Sequence, residues 1–162
     1  MGKCADLGIP EHLHQNGRKA ENDNFTPDER MFRRFRPKDS LSEIVKTNFD
    51  FKSMSFNRER YSNPEDVLYN IKENNHYNDC GVASLTVYEI ERIQIPHPDD
   101  KQLYTFKAVH DPEECMYPHS IVQVFKNGNK VSEIKPSSVK SLIRDEYEKS
   151  IMIIRMPDGH SL

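Results

Sequence analysis

Through much of the second half of the chain, apolar and polar residues alternate with a period of two, as expected of strands with one buried face. The segments LYTFKAV (103–109) and SIVQVF (120–125) both follow this pattern. Asn127-Gly128 comes after the second, ahead of another alternating piece. Both turn residues tolerate the positive φ of a tight primed turn, so a β-hairpin is expected there. VASLTVYEIERIQI (82–95) is rich in β-branched residues and has no single helical stripe, which predicts strand, broken near Glu89. NFDFKSMSFNRERY (48–61) alternates Phe49, Phe51, Ser53 and Ser55 against Asp50, Lys52, Met54 and Phe56, and IMIIRM (151–156) is a short apolar strand.

Helical signals are fewer. In FTPDERMFRRF (25–35), Thr26 is placed to cap, Pro27 suits a first helical position and Glu29 completes a capping box, so a short helix or helical turn is expected to start there. The arginines that follow either complement that helix's C-terminal end or belong to an extended run entering the core through Phe32 and Phe35. Ser62 or Asn63 before Pro64, Glu65 and Asp66, with Val67, Leu68 and Ile71 at helical spacing, predicts a helix over about 64–73. Ser137 or Ser138 caps a last one through VKSLIRDEYEK (139–149).

Helices placed early and strands crowded late, without regular alternation, predict an α+β fold: one domain with a largely antiparallel sheet and about three short helices. Residues 1–24 lack periodicity and read as a flexible or loosely docked arm, 25–156 as the single domain and 157–162 as a frayed tail. With 162 residues, splitting the chain would leave two units too small to bury much core. No run approaches eighteen apolar residues, and the N-terminal stretch lacks the apolar core of a secretory signal. No membrane association is therefore expected, and the expected location is cytoplasmic. Cys4, Cys80 and Cys115 are odd in number and irregular in spacing, which points to reduced thiols or metal ligands rather than a disulfide framework. Only six glycines, no Gly-rich phosphate loop and no Gly-x-Ser-x-Gly elbow set aside dinucleotide-binding, P-loop and α/β-hydrolase chemistry.

Net charge is −3, yet RMFRRFRPK (30–38) interleaves Arg33 and Arg34 with Phe32 and Phe35, and Arg58 repeats that chemistry beside Tyr61. Guanidinium groups suit phosphate, and nearby rings offer a stacking surface. His110 ends one expected strand and His119 begins the next, so two imidazoles are expected on one sheet edge. His119 and His110 would transfer protons while Arg33, Arg34 and Arg58 bind phosphate, with Tyr117 and Ser120 orienting groups. The leading expectation is a phosphate-bearing ligand, RNA or a nucleotide, bound or cleaved without metal or other cofactor.

Cys80 offers a different chemistry. The words NDCGVASL (78–85) resemble the nucleophile segment of papain-like cysteine peptidases over about eight residues. The resemblance implies a Cys80 thiolate at a helix N-terminus, His119 as its partner and Asn74 or Asn75 as oxyanion donor. The residues alone predict a small buried side chain at a strand start. His76, Cys80, His110, Cys115 and His119 include enough soft ligands for a tetrahedral zinc, although without tight Cys-x2-Cys spacing, and no metal site is assigned. A non-enzymatic module that pairs its β segments with a protein partner is the third class considered.

Overall fold

The alternating segments pair into one curled antiparallel sheet in the computed structural model, which describes residues 3–18, 24–49 and 54–161. A short helix α1 (Lys3–Asp6) and a 3-10 turn (Glu11–Leu13) precede strand β1 (Arg30–Phe35), helix α2 (Leu41–Asn48) and strand β2 (Met54–Arg58). Two more 3-10 turns, Glu59–Tyr61 and Pro64–Leu68, lead to the small ladder of β3 (Tyr69–Asn70) and β4 (Asn75–His76). Then come β5 (Gly81–Thr86), α3 (Val87–Glu91), β6 (Gln94–Pro96), β7 (Leu103–His110), β8 (His119–Lys126), β9 (Asn129–Val131), α4 (Ser137–Ser150) and β10 (Met152–Arg155). The main sheet runs β10-β5-β1-β2-β8-β7-β6, and β9 pairs with β8 past the end of β2. This is the α+β, single-domain, largely antiparallel arrangement expected, with four helices among the described residues.

Several elements differ from expectation for local reasons. Thr26, Pro27 and Asp28 make only a turn, closed by the Glu29 N–H donating to the Thr26 carbonyl at 3.1 Å. Beyond it the chain is extended, because Met31 and Phe35 enter one core while Phe32 enters another on the opposite face. The break near Glu89 is a helical turn: the Thr86 hydroxyl accepts from the Glu89 N–H at 3.1 Å and the Glu89 carboxylate accepts from the Thr86 N–H at 2.8 Å. Helix α2 was not expected, although Ser40-x-x-Glu43 announces it: the Ser40 hydroxyl accepts from the Glu43 N–H at 3.2 Å, and Ile44 and Val45 are buried. The helix expected over 64–73 stops at Leu68, after which Asn74 at φ 50° turns the chain back into β4. Asn127-Gly128 forms the expected hairpin, with φ of 51° and 79°. The expected strand through Phe49 and Ser55 is realised from Met54; residues 50–53 lie outside the described residues.

The larger core fills the sheet face covered by α2, α3 and α4 and includes Phe35, Ile44, Phe56, Phe106, Val122, Ile143 and Tyr147. The other face carries two smaller clusters, and one of them belongs to the N-terminal segment. Leu13 is fully buried there with Cys4, Ile9, Cys115 and Met116. Its carbonyl accepts from the Tyr117 N–H at 2.8 Å, and the Gln15 N–H donates to the Glu114 carbonyl at 3.1 Å. Cys4 and Cys115 form a disulfide, so residues 3–18 are fastened to the sheet rather than loosely docked. Two of the three thiols expected to be reduced are thus paired, and Cys80 is the free one. Residues 1, 2 and 19–23 of the expected arm, and Leu162 of the expected tail, lie outside the described residues. No helix among the described residues is long and apolar enough to cross a membrane.

Candidate functional site

Strands β1 and β2 pair at Met31 with Arg58 and at Phe32 with Asn57, and the ladder stops there. The Arg33 guanidinium occupies the gap that opens beyond. Its Nε and Nη2 donate to the Asn48 carbonyl at 3.0 and 2.8 Å, and its Nη1 donates to the Ser55 carbonyl at 2.7 Å. A cleft of about 270 Å³ lies at this opening. Arg33, Arg34, Ser55, Asn57, Glu113 and His119 line its polar side, and Val67, Tyr69, Ile71 and Met116 form an apolar wall. Arg34 is exposed, with its guanidinium carbon 3.8 Å from the centre of the Tyr77 ring.

His119 is the first residue of β8 and stands opposite Asn57. Its Nδ1 lies 2.8 Å from the Asp111 carbonyl oxygen and 3.3 Å from Asp111 Oδ2. Its Nε2 lies 3.2 Å from Ser55 Oγ and 3.5 Å from Glu113 Oε1. A carbonyl only accepts, so Nδ1 carries the hydrogen in the neutral ring and the Nε2 lone pair faces Ser55 and the cleft. The loop from Asp111 to Pro118 holds this geometry: Glu113 and Met116 exchange backbone bonds of 3.2 and 3.1 Å, and the Asp111 N–H donates to the His119 carbonyl at 3.0 Å.

Of the residues singled out from the sequence, Arg33, Arg34 and His119 meet at this cleft. His110 does not join them. Its ladder partner is Ser120, and residues directly opposite share a sheet face, so His110 and His119 project to opposite faces. The His110 ring packs against Tyr117 and Tyr61, at centroid distances of 4.9 and 5.8 Å, beside a separate cavity of about 450 Å³ that Asn24, Phe25 and Glu91 also line. The expected imidazole pair is therefore not assembled on one site.

Arg58 is also elsewhere. Its side chain is 0% exposed, and its Nε and Nη2 reach the two Glu29 carboxylate oxygens at 2.9 and 2.8 Å, with Nη2 also donating to the Asn24 carbonyl at 3.0 Å. A guanidinium held this way is a structural ion pair, away from any phosphate in the cleft. Tyr117 and Ser120, expected to orient or donate, are buried.

Cys80 is buried ahead of β5, so a strand follows it where the cysteine-peptidase resemblance requires a helix N-terminus. Burial pushes the thiol pKa up, and the neighbouring Asp79 carboxylate, 3.5 Å away, pushes it further. Next to it, a Cβ on Gly81 would stand 2.4 Å from the Phe35 ring and 2.5 Å from the Arg155 carbonyl, so only glycine lets β5 pass there. Iodoacetamide at neutral pH is expected to alkylate Cys80 at least about tenfold more slowly than a free model thiol. Labelling as fast as the model thiol, followed by mass spectrometry of the native protein, would contradict this placement.

The five possible zinc ligands are likewise dispersed: Cys115 is in the disulfide, Cys80 is buried before β5 and His76 packs on Tyr69. Among the described residues no group of three or more His, Cys, Asp or Glu is placed to hold a metal ion. Ser55, Asp111 and Glu113 were missed. The alternation of 48–61 placed Ser55 opposite the buried Met54 and Phe56, but nothing local showed that it would meet His119, 64 residues away. Comparison with protein-family models, with curated proteins and with solved structures finds no match to this chain.

Proposed function

We propose that the cleft binds a phosphate-bearing ligand, RNA or a nucleotide, and that His119 acts on its phosphodiester. The observation that carries this reading is the meeting of Arg33, Arg34 and His119 beside the Tyr69 wall. Arg34 supplies positive charge at the mouth, Arg33 holds the strands apart, and the wall of Val67, Tyr69 and Ile71 offers a base an apolar surface. With His110 on the other face, His119 carries the proton transfer, and the Glu113 carboxylate, 3.5 Å from its Nε2, stabilises the imidazolium that forms.

A fluorescent single-stranded RNA oligonucleotide, titrated by anisotropy at low salt where phosphate contacts are strongest, tests the reading. Arg34→Ala is expected to weaken binding about tenfold and to lower the slope of log affinity against log salt by about 0.7, the share of one phosphate contact on a single strand. Absence of binding by the wild-type chain, or an unchanged slope in the variant, would overturn it.

A protein partner is the second reading, favoured by β10, the terminal strand of the sheet, which exposes Met152 and Ile154. The location also bears on the disulfide. In the cytoplasm expected from the sequence, glutathione and thioredoxin keep thiols reduced, so we propose the fastened N-terminal segment as the form present in oxidising compartments.

A further inference from the structure

We infer that Ser55 is the nucleophile of this cleft, reacting through a phosphoryl ester on its Oγ; the phosphorus electrophile rests on the reading proposed above. Ser55 is exposed on β2 between the buried Met54 and Phe56, and it lines the cleft. Because His119 Nδ1 donates to the Asp111 carbonyl, the 3.2 Å contact at Nε2 has the Ser55 hydroxyl as its donor. That is the arrangement of a hydroxyl whose proton is already directed at its base. The Asp111 carboxylate, 3.3 Å from Nδ1, supplies the third member, which orients the ring. An ordinary exposed strand serine would face water; this one faces an imidazole inside a cleft that also holds Arg34.

The step balances without any oxidant or metal. Oγ attacks phosphorus as its proton passes to Nε2, and the imidazolium so formed lies between the Asp111 and Glu113 carboxylates. The bond from phosphorus to the leaving oxygen breaks, its electron pair goes to that oxygen, and Nε2 returns the proton there. Water then attacks the phosphoryl ester, gives its proton to Nε2, and the phosphorus–Oγ bond breaks as Oγ regains a proton.

A fluorophosphonate probe transfers phosphorus to an activated serine, so intact-mass and peptide-mapping analysis of the labelled full chain tests the assignment directly. One adduct is expected, on Ser55, absent in Ser55→Ala and formed at least about a hundredfold more slowly in His119→Gln, the loss of a general base. RNA binding with no adduct on Ser55, or an adduct on another residue alone, would overturn the nucleophile and leave the phosphate reading standing. An adduct on Ser55 in a chain that binds no RNA would support the nucleophile and overturn RNA as the ligand. Neither adduct nor binding would overturn both.

Discussion

Replacing Arg58 by methionine is expected to destabilise the protein by about 3–5 kcal/mol, because the Glu29 carboxylate would be left buried and without its forked partner. The two side chains are 0% and 8% exposed, so solvent screens the pair little. The loss reaches beyond one ion pair. The Glu29 carboxylate also accepts from the Arg60 N–H at 3.2 Å, its carbonyl accepts from the Val87 N–H at 2.9 Å, and the Arg58 guanidinium carbon lies 4.0 Å from the centre of the Phe25 ring. Urea unfolding measures the change, and in a chain of this size it should appear as a drop in Tm on the order of 10 °C. Removing both charges, as Glu29→Met with Arg58→Met, is expected to recover most of the loss, since the cost lies in the orphaned charge rather than in the absent pair. A single-variant loss under about 1 kcal/mol would show that Arg58 is more solvated than the geometry gives. Arg58→Lys distinguishes this role from phosphate binding: it should lower stability and leave the salt dependence of RNA binding unchanged.

Reducing the Cys4–Cys115 bond, or replacing both residues by alanine, is expected to cost about 4 kcal/mol. The bond joins residues 111 apart in sequence, and cross-linking a loop that long removes much freedom from the unfolded chain. Its effect should also reach the cleft. Cys115 sits in the loop that brings Asp111 and Glu113 to His119, and the buried cluster around Leu13 and Met116 packs against Tyr69 and Ile71 of the apolar wall. Urea midpoints measured with and without dithiothreitol test this, and RNA binding under the same two conditions follows the cleft. A midpoint unmoved by reduction would mean that Leu13, Ile9 and the backbone bonds to Tyr117 and Glu114 hold the segment unaided.

Much of the sheet was legible, and particular residues show why. Asn127-Gly128 determined a hairpin because positive φ at two successive residues is a property of those residues alone. The alternation in 103–109 and 120–125 predicted the strands β7 and β8 because side chains leave a strand on alternate faces whatever it pairs with. Ser40-x-x-Glu43 ahead of Ile44 and Val45 is likewise a local helix-start pattern, and α2 begins there. At Thr26–Glu29 the capping pattern was misleading, because burial of Met31, Phe32 and Phe35 on two faces outweighed a local helical start worth about 1 kcal/mol.

The fold class, the strands of the sheet's second half and the apolar surroundings of Cys80 were readable along the chain, which also singled out His119, Arg33 and Arg34 as candidates. Which of these groups meet depends on contacts between residues far apart in the chain. The register of β7 on β8 set His110 against Ser120 and so turned it away from His119. The stopping of the β1–β2 ladder opened the cleft at Ser55, the folding of Glu29 over Arg58 withdrew one arginine into the interior, and closure across 111 residues joined Cys4 to Cys115. The physical reason is common to all of them: periodicity is set by near neighbours along the chain, whereas a site is made by side chains that become neighbours only when the sheet has closed.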